Sequence, residues 1–239
     1  LIDYGDAGRV TLELESPFDR KNLFVAAMDK ISTRYSDRAN TIFMVADVIA
    51  AAASAREGNY MVYFPSYRLM REVFREFVKL GCGFRCLMQK PDMSEPERES
   101  FLAQFSSDGD GTLVGFAVLG GIFAEGIDLV GERLIGSVIV GVQLAQPNSE
   151  SNLIAEYYGE AGMNGYNYAY LYPGINKVMQ AAGRVIRTES DRGIVLLIDD
   201  RYATPEYARV LPKHWQPMKL IGDTKSLRVA LAKFWRESN

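Results

Sequence analysis

The chain has 239 residues, is 48% hydrophobic and 24% charged, and carries a formal net charge of −3, which is enough for a full core in an ordinary soluble globular protein. That balance argues against a free-standing nucleic-acid binder relying on bulk charge, and the longest weakly polar run, 41–55, is interrupted by Asp47 and too short to cross a bilayer. No basic-then-apolar leader opens the sequence and its first residue is Leu1, so a cytoplasmic protein with no membrane partner is expected, read as a piece of a longer polypeptide.

A strand at 25–28 follows the turn Ser16-Pro17-Phe18. An alanine-rich helix covers 37–56 and stops at Gly58-Asn59. The strand 60–64 is halted by Pro65, and Leu69, Met70, Val73, Phe74, Phe77 and Val78 make the apolar stripe of a helix ending near Gly81. A strand at 84–88, a helix at 95–105 and a surface turn at 106–111 come next. Strands at 113–119 and 137–142 bracket a glycine-rich crossing, after which 149–165 is a polar, Tyr- and Asn-bearing excursion, read as an insertion within about 146–170. A helix at 172–187, an apolar strand at 194–198 and helices at 205–210 and 224–237 complete the chain. Near-continuous apolar strands alternating with amphipathic helices predict an α/β fold whose mainly parallel sheet is covered on both faces. The organisation expected is a leading segment 1–20, a domain 21–215 and a C-terminal helical extension 216–239. Residues 201–239 hold eight Lys/Arg against three Asp/Glu, which suits either a polyanion-facing tail or a pair of solvated helices.

Cys82 and Cys86 are the only cysteines and His214 the only histidine, so the thiols read as buried and free and no metal site is expected. Ligands of parallel sheets collect beyond the strands' carboxyl ends, and three strands here end in polar text. Ser66 and Tyr67 stand at a strand-to-helix junction, where free N–H groups favour an anion and where Ser66 equally serves as a helix cap. Gly120 and Gly121 let a backbone approach phosphates, and Glu125, Gly126 and Asp128 follow on the same loop. Asp199 and Arg201 close the third. Gln180, Arg184 and Arg187 fall at i, i+4 and i+7, on one face of a helix at about 100° per residue. Gly183 inside that helix costs about 1 kcal/mol relative to Ala, as where something approaches the backbone. The spacing alone also fits an ordinary amphipathic helix with solvated arginines. No G-x-x-x-x-G-K-[ST] occurs, so a bound nucleotide would need its phosphates gripped by another domain.

Taken together, Tyr-Met-Val-Tyr-Phe-Pro-Ser-Tyr at 60–67, Gly-Gly-Ile-Phe-Ala-Glu-Gly-Ile-Asp at 120–128 and Gln-Ala-Ala-Gly-Arg-Val-Ile-Arg at 180–187 resemble motifs IV, V and VI of the DinG/XPD (Rad3-related) superfamily 2 DNA helicases. The resemblance covers roughly residues 10–215 and is to their C-terminal RecA-like (P-loop NTPase-type) three-layer motor domain, which lacks its own Walker A loop. It implies an ATP-driven 5′ to 3′ DNA translocase active in repair or replication. ATP and Mg²⁺ would be bound mainly by the first RecA-like domain of the same polypeptide, and single-stranded DNA would be the second partner. It assigns Arg184 and Arg187 to arginine-finger and phosphate-sensing roles and Gln180 to the γ-phosphate. Gly126 and Asp128 would face the nucleotide with Glu125 coupling them to the strand, and Ser66, Tyr67 and Gly121 would line the DNA backbone. An iron–sulfur cluster belongs to many relatives, but its cysteine set is absent from this stretch. A non-catalytic RecA-like binding module and a Rossmann-like small-molecule enzyme are the rival readings; intact Gln180, Arg184 and Arg187 weigh against the first and the missing G-x-G-x-x-G against the second.

Overall fold

The computed structural model describes residues 16–123 and 129–237. Seven strands form one sheet: β1 (Leu23–Met28), β2 (Asn59–Phe64), β3 (Arg85–Met88), β4 (Leu113–Val118), β5 (Gly136–Val140), β6 (Gly193–Ile198) and β7 (Lys219–Ile221). They lie in the order β3-β4-β2-β5-β6-β1-β7, and every neighbouring pair is parallel. Helices α1 (Arg38–Ser54), α2 (Tyr67–Lys79), α3 (Glu95–Ala103), α4 (Ser149–Glu160), α5 (Tyr172–Ala182), α6 (Pro205–Ala208) and α7 (Thr224–Arg236) connect and follow them.

The strands are apolar throughout because both faces are covered, and successive side chains supply different layers. Phe24, Ala26 and Met28 of β1, Tyr60, Val62 and Phe64 of β2, and Ile194, Leu196 and Ile198 of β6 face the core built with α1, α2 and α7. Their neighbours Val25, Ala27, Met61, Tyr63, Val195 and Leu197 face the core completed by α3, α5 and the turns around Tyr202, Tyr207 and Trp215. This is the three-layer α/β architecture expected.

Helix ends follow local chemistry. Ser66 caps α2 by accepting from Leu69 N at 3.3 Å, and α2 gives way at Gly81, whose φ of +63° only glycine adopts without strain. Ser94 and Glu97 form a reciprocal capping box at α3.

Three elements and the setting of the cysteines add to or differ from the sequence-based expectation. Helix α5 ends at Ala182 rather than 187. The excursion at 149–165 contains α4, which packs on the π-helical turn Asn167–Leu171, with Tyr158 stacked on Tyr168 at 3.9 Å between centroids. Residues 216–237 are more than a helical extension: β7 pairs with β1, and Leu227, Leu231 and Phe234 of α7 enter the main core. Finally, Cys82 is exposed and Cys86 only half-buried, so the thiols are not both interior.

Candidate functional site

At the carboxyl edge, β2 runs into Pro65, Ser66 and Tyr67, and β4 into Gly120 and Gly121. Gln89, just past β3 and 4% exposed, ties these ends together. Its Nε2 donates to the Tyr67 phenol oxygen at 2.9 Å, and its Oε1 accepts from Val118 N at 2.8 Å. Gly121 N donates to Val118 O at 3.1 Å. A Cβ on Gly121 would stand 3.0 Å from that oxygen and 3.4 Å from Gln89 Nε2, a tight fit that would require the neighbours to give by a few tenths of an ångström. Gly120, at φ +72°, lies under Lys177 of α5, whose Nζ would be 3.3 Å from a Cβ there. Burial, with the Asp92 carboxylate adding to it, raises the Tyr67 phenol above its ordinary pKa and keeps it neutral. Three of the expected residues, Ser66, Tyr67 and Gly121, are therefore gathered at one edge. Sequence reasoning missed Gln89 and Lys177, although a polar residue at a strand's carboxyl end and a lysine one turn before Gln180 were the available signals.

The expected shared helical face of Gln180, Arg184 and Arg187 does not form. Gln180 is exposed on α5, but the last helical bond is Gly183 N to Met179 O at 2.8 Å. Gly183 is thus the C-cap, not a mid-helix residue. Buried Val185 then turns into the core so closely that a Cβ on Gly193 would meet its Cγ1 at 2.2 Å. Beyond it Asp191, 6% exposed, accepts from Arg187 N at 2.7 Å, Thr188 N at 2.8 Å and Thr188 Oγ1 at 2.6 Å. A glycine with poor helix propensity, an inward valine and a carboxylate pulling two N–H groups out of helical register end the helix.

Arg184 and Arg187 consequently sit on the turn leading into the amino end of β6, opposite the edge holding Tyr67. Arg187 is exposed and Arg184 half-buried. Arg184 lies near the buried Tyr63 phenol: burial raises that phenol's pKa and the Arg184 charge opposes the rise. Tyr63 in turn donates to Phe123 O at 3.1 Å. Glu125, Gly126 and Asp128 lie outside the described residues. On the other side of the helix end, Phe18, Leu23, Met179, Ile186, Pro212 and Trp215 line a mostly apolar cavity of about 380 Å³, so residues 16–20 and this turn share one cavity.

A third cluster joins β1 to β6 at the carboxyl edge. Asp199, fully buried, accepts from Thr33 N at 3.2 Å and from the Thr33 hydroxyl, and from Arg201 N at 3.0 Å, Nε at 2.6 Å and Nη2 at 2.9 Å. Burial opposes its ionisation, but Arg201 and then Thr33 outweigh it and hold the carboxyl below its usual value. Among the described residues no three His, Cys, Asp or Glu side chains gather as a metal site, and no helix is long and apolar enough to cross a membrane. Arginine and amide donors of this kind suit phosphate rather than a cation.

A profile of the helicase C-terminal domain matches residues 49–218. The ATP-dependent DNA helicase DinG of Photobacterium profundum is 32% identical over 102 residues, covering 42% of this chain and 15% of that protein. The ATP-dependent DNA helicase chl-1 of Caenorhabditis elegans is 26% identical over 214 residues, covering 86% of this chain and 24% of its own. A solved structure of XPD in its apo form superposes with a TM-score of 0.68 at 20% identity, over 84% of this chain and 40% of that one, a likeness of fold. This chain spans less than a third of the length of these curated relatives.

Proposed function

This chain belongs to the helicase C-terminal domain family, in its DinG/XPD branch, and from that premise we propose that it is the second motor domain of an ATP-dependent 5′ to 3′ DNA helicase serving DNA repair or replication. In this reading Arg184 and Arg187 meet the transferring phosphate of an ATP–Mg²⁺ held mainly by the first motor domain of the same polypeptide. Gln180 lies near the γ-phosphate, and Glu125, Gly126 and Asp128 complete the nucleotide side. Ser66, Tyr67 and Gly121 carry the backbone of single-stranded DNA. Alone the chain turns over no ATP, since it has no phosphate-binding loop.

The observation that carries the reading is the position of Tyr63, whose phenol holds the loop after β4 and lies within the field of Arg184. The segment beginning at Gly120 and Gly121 beside Tyr67 reaches Phe123, whose carbonyl is held by Tyr63, and Tyr63 feels the charge of Arg184. Two ligand sites joined through one buried phenol and one loop can make the affinity at either depend on the other.

In the full-length protein, Arg187→Ala is expected to lower DNA-stimulated ATP turnover by about 10³-fold or more while leaving ATP binding largely intact, because such a charge acts chiefly in the transition state. Steady-state ATPase assays with and without single-stranded DNA, alongside nucleotide titrations, measure both. Turnover close to wild type would end the assignment and return Arg187 to an ordinary solvated role.

A further inference from the structure

Tyr35 stands in the loop between β1 and α1 with 73% of its surface exposed. Its ring has the Arg38 guanidinium 5.8 Å from its centroid and that of Arg68 at 5.7 Å. These arginines occupy the first turns of α1 and α2, neither of which has an acid there. Asp37, the N-cap of α1, is turned to the Ser32 and Ser36 hydroxyls instead of the helix. A cation at a helix N-terminus opposes the macrodipole, and here the rule is broken twice around one tyrosine. Such local contradictions collect at functional sites.

The charges around the ring are uneven in availability. Arg34 is held by Asp200 at 2.6 Å, Arg201 by Asp199 at 2.6 Å and Arg68 by Glu72 at 3.0 Å. Arg38 donates Nε to Thr33 O at 3.0 Å, and its terminal nitrogens have no acceptor among the described residues. Beside the ring a cleft of about 270 Å³ opens between Arg34, Arg38, Pro65, Gly141 and Arg201. That is smaller than the roughly 300–1,000 Å³ of small-molecule sites, so it fits one group of a longer ligand. An exposed aromatic ring beside an available guanidinium is the arrangement that holds a base and its phosphate in single strands.

We propose that Tyr35 is a stacking platform for one base of single-stranded DNA, whose adjoining phosphate lies on Arg38 at the mouth of this cleft. The site rests on the strand path proposed above and extends it from Ser66 and Tyr67 across the carboxyl edge to the loop before α1. Because three of the four nearby arginines are neutralised by partners, stacking supplies most of the affinity and Arg38 most of the salt dependence.

The test is fluorescence anisotropy of a fluorescein-labelled oligothymidine with the full-length protein over a series of salt concentrations. Tyr35→Ala is expected to weaken binding about 5- to 100-fold with an unchanged salt slope and melting midpoint, Tyr35→Phe to bind like wild type, and Arg38→Gln to reduce the slope by about 0.7. Tyr67→Ala, its folding checked by melting, reports on the parent reading. If Tyr67→Ala weakens binding and Tyr35→Ala does not, the platform is overturned while the strand path stands. If wild type does not bind the oligonucleotide, the strand path fails and the platform with it.

Discussion

At the scale of single residues, Gln89 continues with its side chain a ladder that β3 leaves with its backbone. Met88 is the last residue of β3 in register with β4, opposite Phe116; Gln89 N still reaches Phe116 O at 2.8 Å, and its Oε1 then takes Val118 N. The amide also positions the Tyr67 phenol beside Gly121, so one buried side chain sets the spacing of two candidate DNA contacts. Gln89→Leu would keep the volume but leave the Val118 N–H without its acceptor, at about 1–3 kcal/mol. In a domain of this size each kcal/mol shifts Tm by roughly 2–4 °C. A calorimetric midpoint lowered by several degrees is expected, and an unchanged one would mean that water replaces the amide without loss. The one mark Gln89 carries in the sequence, a polar residue at a strand's carboxyl end, is shared with any loop, whereas Ser66 and Gly121 sit inside recognisable motifs.

Among elements, β4 and α2 meet through a ring cluster in which Phe116 stacks on Phe64 at 6.0 Å between centroids and takes the edges of Phe74 and Phe77 at 5.0 and 5.3 Å. Phe116 is fully buried, so Phe116→Ala is expected to cost about 3–5 kcal/mol through lost transfer energy and the cavity left behind. Urea unfolding should show a lower midpoint at unchanged slope; a loss under 1 kcal/mol would mean the rings close over the gap. Elements of this kind were legible beforehand because strands buried on both faces cannot hide their apolar runs, and Ser66 and Gly81 announce the ends of α2. The end of α5 was not legible. The spacing of Gln180, Arg184 and Arg187 is helical on paper, but Val185 is drawn inward against Gly193 and Asp191 captures the N–H groups of Arg187 and Thr188. Both are contacts with residues later in the chain that periodicity does not register. Breaking the helix places the arginines on a turn at the sheet's amino edge, where their reach is set by Asp191 rather than by a helical face.

For the whole molecule, the question is whether residues 216–237 decorate the fold or complete it. Strand β7, three residues long and two of them exposed, carries too little pattern to be read from sequence, and α7 alone looks like an ordinary amphipathic helix. The structure ties both to distant parts of the chain. Ala26, Ala27 and Met28 pair with β7, and Leu227, Leu231 and Phe234 join the core under α1. Near the end of α7, Arg192 stacks on Phe234 at 4.2 Å and donates to its carbonyl, while Arg56 stacks on Trp235 at 4.7 Å and pairs with Glu132 at 2.9 Å. Truncation after Trp215 would remove the Phe234 ring and carbonyl from Arg192 and the Trp235 ring from Arg56, whose pair with Glu132 would remain, and would expose one side of β1. It would also remove four buried side chains, Ile221, Leu227, Leu231 and Phe234, each worth about 1.5–3 kcal/mol. Against a total stability of about 5–15 kcal/mol, that loss is of the order of the whole. The shortened chain is therefore expected to lack a cooperative thermal transition and to be digested rapidly under mild proteolysis, while the complete chain melts cooperatively. A sharp transition at the same midpoint after truncation would show that β7 and α7 are an appendage, and that the sheet from β3 to β1 holds itself together.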